Sequence, residues 1–316
     1  MNLDSVQIAT LVQIARLYYE DNLSQQEIAD QLGVSRSLIA LHLKKAREQN
    51  IVRIEIIDPQ DECEDLALAL KDKTGVRKVT VVRSSTSPAL TRRALGGAVA
   101  RYLESRLQDG DLIGFGWGRT IMEVVDLLAP SRPRKIQVVP LLGESSYTGS
   151  YTQMNQIVLQ VAKAFGGQPY FLLAPMLVGS RELRDALLSD EVARDVAERW
   201  ERLNIACVGI GSLPPTPGQI LYIGEENVRC FLEDGAVGDI CARYFNIRGE
   251  MLFSPLNERL VGISPESLRK ARTLIAVAGG VEKARAVIGA LCATLVTDLF
   301  IDEELGKELL AEINHP

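Results

Sequence analysis

Residues 24–47 hold the pattern that most restricts the fold, because two short amphipathic helices meet there at a sharp break. The stretch reads SQQEIADQLGVSRSLIALHLKKAR. In its first half, Ile28 and Leu32 fall on one apolar helix face. Ser24 stands at the N-cap position and Glu27 at the capping-box position. We therefore predict a first helix that begins just after Ser24.

The second helix of the pair is predicted to begin at Ser35, which again suits an N-cap. Leu38, Ile39 and Leu43 form its predicted core stripe. Gly33 permits the tight, left-handed turn that would join the two helices. Two helices joined in this manner predict a helix-turn-helix.

Flanking segments set the limits of this predicted domain. Residues 6–19 carry apolar side chains at helical spacing, so a further helix should precede the pair. Residues 51–57 alternate enough to predict a strand that ends at Asp58-Pro59. We predict a helix-turn-helix DNA-binding domain over residues 1–57 and a second domain over residues 58–316.

The exposed face of the second helix is the basis for predicting DNA binding. No acidic residue occurs from Ser35 through Arg47. Such a cationic helix suits the major groove, where polar side chains face base edges and lysines reach phosphates. The predicted DNA contacts are Gln25, Ser35, Arg36, Ser37, His42, Lys44 and Lys45. The alternative is a solvated helical hairpin with a basic face, but the predicted preceding helix favours DNA binding.

Charge composition directs the search to local surfaces. The chain has 316 residues, 47% of them hydrophobic and 24% charged, and a net charge of −6. These values are typical of a soluble protein of about two domains. Residues 1–50 contain five Lys or Arg against six Asp or Glu. DNA affinity must therefore come from one helix face, which a dimer would present twice.

Cysteine usage and the amino terminus indicate the compartment. Five cysteines, two histidines and no C-x-x-C support neither a disulfide framework nor a zinc site, so we predict no metal and no cofactor. The first ten residues lack the order of a signal peptide. No uncharged apolar run approaches the ~18 residues of a membrane span. We expect a cytoplasmic protein with no membrane partner.

Beyond Pro59, apolar β-rich runs alternate with helical patterns. Strands are predicted at residues 79–82, 112–115, 136–142, 170–174, 205–210, 274–278 and 294–297, with helices at 61–73, 153–165 and 282–292. This order predicts a mostly parallel sheet covered by helices. The helix at 61–73 would link the two domains, and it could equally carry an oligomer contact. Ligands of open α/β sheets bind at the carboxyl ends of the strands, so the loops there are candidate sites.

The first candidate loop contains Gly114, Gly116 and Gly118 and runs into a helix near Thr120. Backbone N–H groups of a glycine loop at a helix start favour an anion, and Arg119 adds a cation. The spacing lacks the Gly-Lys-Ser/Thr of a P-loop and the third glycine of a dinucleotide-binding motif. A sugar phosphate or mononucleotide is therefore the predicted ligand, and a purely structural tight turn is the alternative.

Two further glycine loops follow in the chain. Gly279-Gly280 precedes Lys283 in a first helical turn, where an ammonium opposes the helix dipole unless an anion lies beside it. An exposed lysine at a frayed helix end is the alternative. Asp239 follows Gly235 and Gly238. Spacing favours a helix cap for Asp239, and an acceptor for sugar hydroxyls is its alternative role.

Several motifs, taken in order, resemble the SorC-type bacterial transcriptional regulators. They are Leu17-Tyr18-Tyr19, Ser24 through Ala29, Gly33-Val34-Ser35-Arg36, Gly114 through Thr120, Val208-Gly209-Ile210-Gly211, Gly235 through Ile240, and Gly279-Gly280 with Lys283. The resemblance spans essentially the whole chain. It implies an α/β protein with an N-terminal helix-turn-helix domain followed by a Rossmann-like effector domain similar to sugar-phosphate isomerases and deaminases. It also implies a homodimeric or homotetrameric repressor or activator whose binding to double-stranded operator DNA changes when a phosphorylated sugar binds.

The resemblance implies roles for individual residues as well. The implied phosphate cradle consists of Gly116, Trp117, Gly118, Arg119 and Thr120. Lys283 would be a phosphate or sugar contact, and Asp239 a hydroxyl acceptor. Gly143, Glu144 and Gln153 match a second ligand-facing loop and helix start. Some relatives carry an arginine at this second loop for a second phosphate, and its absence here disfavours a bisphosphate.

The chain departs from the family pattern in the predicted recognition helix. Ala40 and Leu41 stand where relatives commonly have a serine and an arginine, and His42 stands where they have an apolar residue. The operator sequence of a relative therefore cannot be transferred to this chain.

Two other function classes compete with the regulator. A sugar-phosphate isomerase or deaminase with an appended DNA-binding domain would need a general base beside the substrate carbon. Asp239 and Glu144 are available carboxylates, but His42 and His315 lie in the head and at the tail, so no carboxylate–histidine pair is indicated. We therefore expect no catalysis. A DNA-binding nucleotide or redox sensor is the third interpretation, and it predicts binding of NAD or a nucleotide.

Overall fold

The computed structural model describes residues 5–49, 51–52, 62–145, 153–214, 220 and 222–314. The described residues form two compact units, one within residues 5–52 and the other within residues 62–314. The predicted domain boundary between residues 57 and 58 lies outside the described residues, and so do residues 53–57 of the predicted strand.

The smaller unit has the predicted helix-turn-helix. Its helices are α1 (Ser5–Tyr19), α2 (Gln25–Leu32) and α3 (Arg36–Glu48). The Ser24 hydroxyl accepts the N–H of Glu27, and the Glu27 carboxylate accepts the N–H of Ser24, so the capping box is confirmed. Gly33 ends α2 with a φ of 66°, in the left-handed region that favours glycine. Buried Ile14, Ile28 and Ile39 join the three helices in one core.

The larger unit alternates strands and helices. In chain order its elements are α4 (Glu64–Thr74), β1 (Lys78–Val82), α5 (Pro88–Arg106), β2 (Leu112–Phe115), α6 (Arg119–Asp126), β3 (Gln137–Pro140), α7 (Met154–Phe165), β4 (Gln168–Pro169), α8 (Arg181–Ser189), α9 (Glu191–Trp200), β5 (Ile205–Gly209), β6 (Gly211–Ser212), α10 (Glu225–Glu233), β7 (Ala236–Ile240), β8 (Arg243–Asn246), α11 (Pro255–Arg259), α12 (Pro265–Lys270), β9 (Thr273–Ala278), a 3₁₀ turn (Val281–Lys283), α13 (Ala284–Cys292), β10 (Asp298–Asp302) and α14 (Glu303–Asn314).

A seven-stranded parallel sheet forms the centre of this unit, in the order β1-β10-β9-β5-β2-β3-β4. Every residue of β9 is buried, as its nearly uninterrupted apolar sequence predicts for a strand covered on both faces. The predicted α/β class with a mostly parallel sheet is thus confirmed. Strands β6, β7 and β8 form a separate antiparallel sheet that the sequence did not predict.

Two predicted strands are wrong. Residues 170–174 do not form a strand, and at their centre Asn155 accepts the Leu172 N–H at 3.0 Å and donates to the Leu172 carbonyl oxygen at 3.1 Å. Residues 294–297 form a turn in which Thr294 has a φ of 56°, and the strand begins only at Asp298.

Helix α4 is close to the predicted linking helix at residues 61–73, but its contacts place it in the larger unit. It packs against β1 and α14, and its Leu70 is completely buried in the core of that unit.

Candidate DNA-binding helix and effector site

Helix α3 separates its buried and exposed side chains into two faces. Ile39, Leu43 and Ala46 are buried against the rest of the smaller unit. These three positions fill the buried face at 3.6 residues per turn. Leu38, predicted to be in the core, is instead 38% exposed, so that prediction is wrong.

Most of the predicted DNA contacts lie on the outer surface of the smaller unit. The exposed ones are Ser35, Arg36, Ser37, Lys44 and Lys45. The Ser35 hydroxyl caps α3 by accepting the Leu38 N–H at 3.3 Å. Gln25, the first residue of α2, is half-buried. Lys44 also lies 3.8 Å from Glu48 in an exposed ion pair, an arrangement that contributes little to stability.

His42 differs from the other predicted DNA contacts on α3 because it is half-buried. Its Nδ1 atom lies 3.3 Å from the carbonyl oxygen of Leu38, one helical turn earlier. Desolvation lowers the pKa of His42, and the nearby Lys45 lowers it further. The pKa of His42 therefore lies below the usual value of a histidine, and the neutral form predominates at pH 7.

The predicted anion loops lie at the carboxyl edge of the large sheet. Strand β5 pairs with β2 on one side and with β9 on the other. The glycine loop at residues 116–118 follows β2, Ile210 follows β5, and Gly279-Gly280 follows β9. Strands β2 and β9 are therefore not neighbours, and the segment after β5 lies between the two predicted anion loops.

The side chain of Lys283 reaches from the β9 loop to the β5 loop. Its Nζ atom donates a hydrogen bond to the Ile210 carbonyl oxygen at 2.7 Å. The side chain is half-buried at the end of the 3₁₀ turn, so the alternative of an exposed lysine at a frayed helix end does not describe it.

Charged groups surround this ammonium. Desolvation lowers the pKa of Lys283, and Arg119 lowers it further. The carboxylates of Glu282, Asp239 and Asp302 raise it in opposition. The residues after β2, after β9 and on β7 therefore share one electrostatic environment.

The loop after β2 leads directly into α6. Gly118 precedes the helix with a φ of 130°, which side chains other than glycine rarely adopt, and it provides no side-chain cap. Arg119 is exposed in the first turn, and Thr120 beside it is half-buried. The arrangement combines helix N–H groups that lack a side-chain cap with a cation in the first helical turn, a combination that favours an anion.

Aromatic rings flank this loop. The ring centroids of Trp117 and Tyr222 lie 4.6 Å apart with a 39° angle between the planes. A Cβ atom at Gly116 would lie 3.3 Å from the Sγ atom of Cys241. The cradle predicted at residues 116–120 thus has little room for a side chain at its first glycine.

Asp239 is not a helix cap, because it lies within β7 and pairs with Gly211 of β6. The prediction from spacing is therefore wrong. Its buried carboxylate accepts the N–H of Ala242 at 3.0 Å, within the turn between β7 and β8. Since Gly211 directly follows Ile210, the strand that carries Asp239 is tied to the residue that accepts from Lys283.

The turn after Asp239 has features that sequence analysis missed. Cys241 and Ala242 adopt φ values of 52° and 56°, although residues other than Gly, Asn and Asp are uncommon at such positive φ values. Arg243 follows and is buried, and it donates to the carbonyl oxygens of Ile263 at 3.0 Å and Gly262 at 3.2 Å. Burial lowers the pKa of Arg243 to about 10, so it remains charged at pH 7. No sequence motif marks an arginine that is held by the backbone carbonyls of distant residues.

Glu144 follows β3 and binds the start of α7. Its carboxylate accepts the N–H of Met154 at 3.0 Å and the N–H of Asn155 at 2.8 Å. These are orphan donors of the first helical turn, where a carboxylate also complements the helix dipole. The N-terminus of α7 is thus already bound by an anion of the protein itself.

A cleft of about 410 Å³ lies beside this carboxylate. It is lined by Glu144, Ser145, Asn155, Leu173, Ala174 and Pro175. Gly143 lies close against the same wall, since a Cβ atom there would be 2.6 Å from the Ala174 carbonyl oxygen. Gln153 is exposed just before α7.

Neither a metal centre nor a membrane span occurs in the described part of the chain. In those residues no group of three or more His, Cys, Asp or Glu side chains is placed to hold a metal ion. None of the helices described there is long and apolar enough to cross a membrane.

Known proteins are similar to this chain over nearly its full length. Residues 58–311 match the sugar-binding domain family, and residues 12–49 match sigma-70 region 4. The deoxyribonucleoside regulator of Bacillus subtilis is 30% identical over 305 residues, covering 96% of this chain and 97% of the relative. The sorbitol operon regulator of Klebsiella pneumoniae is 31% identical over 314 residues, covering 97% and 99%.

A solved structure agrees with these relatives. The crystal structure of the full-length sorbitol operon regulator SorC from Klebsiella pneumoniae superposes with a TM-score of 0.77 at 30% identity, over 98% of this chain and 100% of that one. Together with a family match to most of the chain, this similarity shows that the protein belongs to the SorC family of DNA-binding transcriptional regulators with a sugar-binding domain.

Proposed function

We propose that α3 reads operator DNA and that a phosphorylated sugar or sugar alcohol, bound at the carboxyl edge of the large sheet, controls operator affinity. The observation that carries the effector site is the bond from Lys283 to the Ile210 carbonyl oxygen, in the electrostatic environment of Arg119 and Asp239. Two cations and the uncapped start of α6 favour a phosphate, and Asp239 supplies an acceptor for hydroxyls.

The second loop limits the number of anionic groups on the effector. Glu144 already binds the N–H groups at the start of α7, so a second phosphate there would meet a carboxylate. A monophosphate therefore fits better than a bisphosphate. Gly143 and Gln153 are proposed to contact the effector end that lies away from the phosphate.

The smaller unit is proposed to contact DNA through Arg36 and Ser37 at base edges and through Lys44 and Lys45 at phosphates. One short cationic helix offers few phosphate contacts, so we infer a homodimer or homotetramer on an inverted-repeat operator. Half-sites should lie about 34 Å apart, or at multiples of that spacing. The DNA-binding domain is proposed to end at residue 57, and the protein to act in the cytoplasm.

Sensing without catalysis is the favoured mode for the effector site. The two carboxylates considered as general bases both accept backbone hydrogen bonds, Asp239 from Ala242 and Glu144 from the start of α7. Both carboxylates therefore already serve as acceptors that hold nearby backbone in place. An isomerase or deaminase activity would be seen as conversion of the bound sugar phosphate.

A thermal-shift screen over matched pairs of phosphorylated and unphosphorylated sugars tests the proposal. Ligand at 100-fold excess over Kd should stabilise the protein by about 2.7 kcal/mol. Hits are then tested for their effect on binding to duplexes selected from a random library, and mass spectrometry determines whether they are recovered unchanged. Stabilisation by nucleotides or NAD in place of sugar phosphates would contradict the proposal.

A further inference from the structure

Helix α3 presents an apolar side chain at the centre of its outer face. Leu41 is 58% exposed, whereas Ile39 and Leu43, the residues two positions to either side, are buried. At 3.6 residues per turn, position 41 points almost directly away from the buried face. Leu41 is therefore directed outward on the same side of the helix as Ser37 and Lys44.

The neighbours of Leu41 make this exposure unusual. Ser37 precedes it by one helical turn, and Lys44 and Lys45 follow it by about one turn, all of them exposed. These side chains donate hydrogen bonds or carry positive charge, so this side of the helix suits a polyanion. Leu38, about one turn before Leu41, is a second apolar side chain there and is 38% exposed. A leucine contributes no hydrogen bond and no charge to such a contact.

The major groove offers a leucine one kind of partner. Each base pair presents hydrogen-bond donors and acceptors there, and the only apolar group among them is the C5-methyl group of thymine. A side chain without donors or acceptors that enters the groove can therefore gain affinity only by contact with that methyl group. At any other base edge, the leucine would displace a water molecule that is hydrogen-bonded to the base and would form no hydrogen bond in its place.

We propose that Leu41 reads the C5-methyl group of a thymine in each operator half-site. The inference rests on the proposed role of α3 as the recognition helix, and it adds a specific base to that role. Burial of one methyl-sized group corresponds to about a fourfold change in Kd. Two half-sites on one dimer should together give about a sixteenfold change.

Deoxyuridine tests the contact directly, because it keeps the base pair of thymine and lacks only the methyl group. The full-length protein first selects a duplex from a random library, and each thymine of the selected site is then replaced by deoxyuridine in turn. Kd is measured at fixed salt for the wild type, Leu41→Ala and Leu41→Met. Ile8→Ala is the matched control, since Ile8 is a 43% exposed apolar residue on α1 of the same unit.

We expect at least one thymine per half-site at which deoxyuridine weakens wild-type binding about fourfold. Leu41→Ala should bind the duplex with thymine at that position and the duplex with deoxyuridine there with equal affinity. Leu41→Met retains the apolar volume, and Ile8→Ala leaves Leu41 in place. Both variants should therefore still bind the thymine duplex more tightly than the deoxyuridine duplex. All three variants should keep the thermal unfolding midpoint of the wild type within a few degrees, because the substituted side chains are exposed.

Two results would overturn the inference while leaving DNA binding intact. One is equal wild-type affinity for every deoxyuridine duplex, and the other is a deoxyuridine effect that persists undiminished in Leu41→Ala. Loss of affinity of Leu41→Ala for both kinds of duplex, with a change in oligomeric mass, would place Leu41 in a protein contact and also overturn it. Failure to select any duplex would instead contradict the proposed function itself.

Discussion

Lys283 donates a hydrogen bond to the carbonyl oxygen of Ile210, and the two atoms lie 2.7 Å apart although the residues are separated by 73 positions. They follow different strands, β9 and β5. Gly211, the residue after Ile210, pairs with Asp239 in the small sheet. One hydrogen bond therefore joins Lys283, the proposed phosphate contact, to the segment that pairs with the strand of Asp239, the proposed hydroxyl acceptor.

Lys283→Met should remove the effector response and leave operator binding intact. Methionine keeps most of the aliphatic chain but donates no hydrogen bond to a phosphate. Hydrogen bonds involving a charged group contribute about 1.5–3 kcal/mol, so effector affinity should fall about 10- to 150-fold by calorimetry. Lys307→Ala, an exposed lysine paired with Glu303 and Glu304, is the control and should bind normally. Equal wild-type affinity for a phosphorylated and an unphosphorylated sugar would contradict the phosphate cradle.

The pH dependence of effector binding should report the lowered pKa of Lys283. A phosphate dianion favours the protonated ammonium, so affinity should fall as the pH rises through that lowered pKa, at a lower pH than an ordinary lysine would require. The phosphate itself loses its second proton at about pH 6, which sets the lower end of the window. Calorimetry between pH 7 and 10 should show this decline in the wild type and a flat profile in Lys283→Met.

The same lowered pKa of Lys283 also affects the stability of the ligand-free protein, which should rise with pH where effector affinity falls. Because the folded-state pKa of Lys283 is lowered, the unfolded chain binds that proton more tightly. The free energy of unfolding should therefore rise with pH between the lowered pKa and 10.5, the ordinary value. In the effector-binding measurement, a constant affinity from pH 7 to 10 would instead show that the ammonium of Lys283 does not contact the ligand.

Sequence could predict the features that depend on near neighbours in the chain. The capping box joins Ser24 and Glu27, which are three positions apart. The glycine loop at residues 116–118 joins one strand to the next helix. Both features depend on residues within a few positions of one another, so local sequence rules are enough to predict them. The order of the strands in the sheet, which places β5 between β2 and β9, is not local and was not predicted.

Features that depend on distant partners were missed. Strand β10 begins at Asp298, a fully buried carboxylate that accepts from Arg77 at 2.9 and 2.7 Å and from the Tyr102 hydroxyl at 2.6 Å. These partners are 221 and 196 positions away, so an aspartate in the sequence looked like the end of an apolar run. Asp239 was missed as a strand residue for the same reason, because its pairing partner Gly211 lies in another part of the chain.

Asp239→Asn tests the proposed hydroxyl acceptor. Asparagine can still accept the Ala242 N–H through its side-chain oxygen, so the turn should persist. Loss of the charge should lower sugar-phosphate affinity by roughly 1–3 kcal/mol and change the preference between two epimers. A competition assay with both epimers measures this ratio in the wild type and the variant. If the ratio stays the same, Asp239 does not accept a hydrogen bond from the sugar hydroxyl that distinguishes the epimers.

Two substitutions in α3 should separate base reading from phosphate binding. Arg36→Ala should remove the preference for the selected operator over random DNA, whereas Lys45→Ala should weaken binding to both. The slope of log K against log salt should become shallower by about 0.9 for each phosphate that Lys45 neutralises in the wild type. Lys45 is preferred to Lys44, because Lys44 also pairs with Glu48. An unchanged slope in Lys45→Ala would place that lysine away from the phosphates.

The last prediction concerns Glu144, whose carboxylate binds the N–H groups of Met154 and Asn155 at the start of α7. Glu144→Ala leaves both donors without this acceptor. Loss of a helix cap costs about 0.5–2 kcal/mol, so the unfolding midpoint should fall by a few degrees. The exposed helix start can then attract an anion, and the affinity for a sugar bisphosphate should rise relative to the monophosphate.

Calorimetry with the monophosphate and the bisphosphate of one sugar gives this ratio, and Glu308→Ala, an exposed glutamate on α14, is the control. Glu144→Gln provides a second comparison, since its amide oxygen can still accept one N–H but repels an added phosphate less than a carboxylate does. The ratio should therefore increase in the order wild type, Glu144→Gln, Glu144→Ala. A lowered unfolding midpoint without any change in this ratio would show that Glu144 only caps α7, because a carboxylate that faces the effector must influence the binding of a second anion.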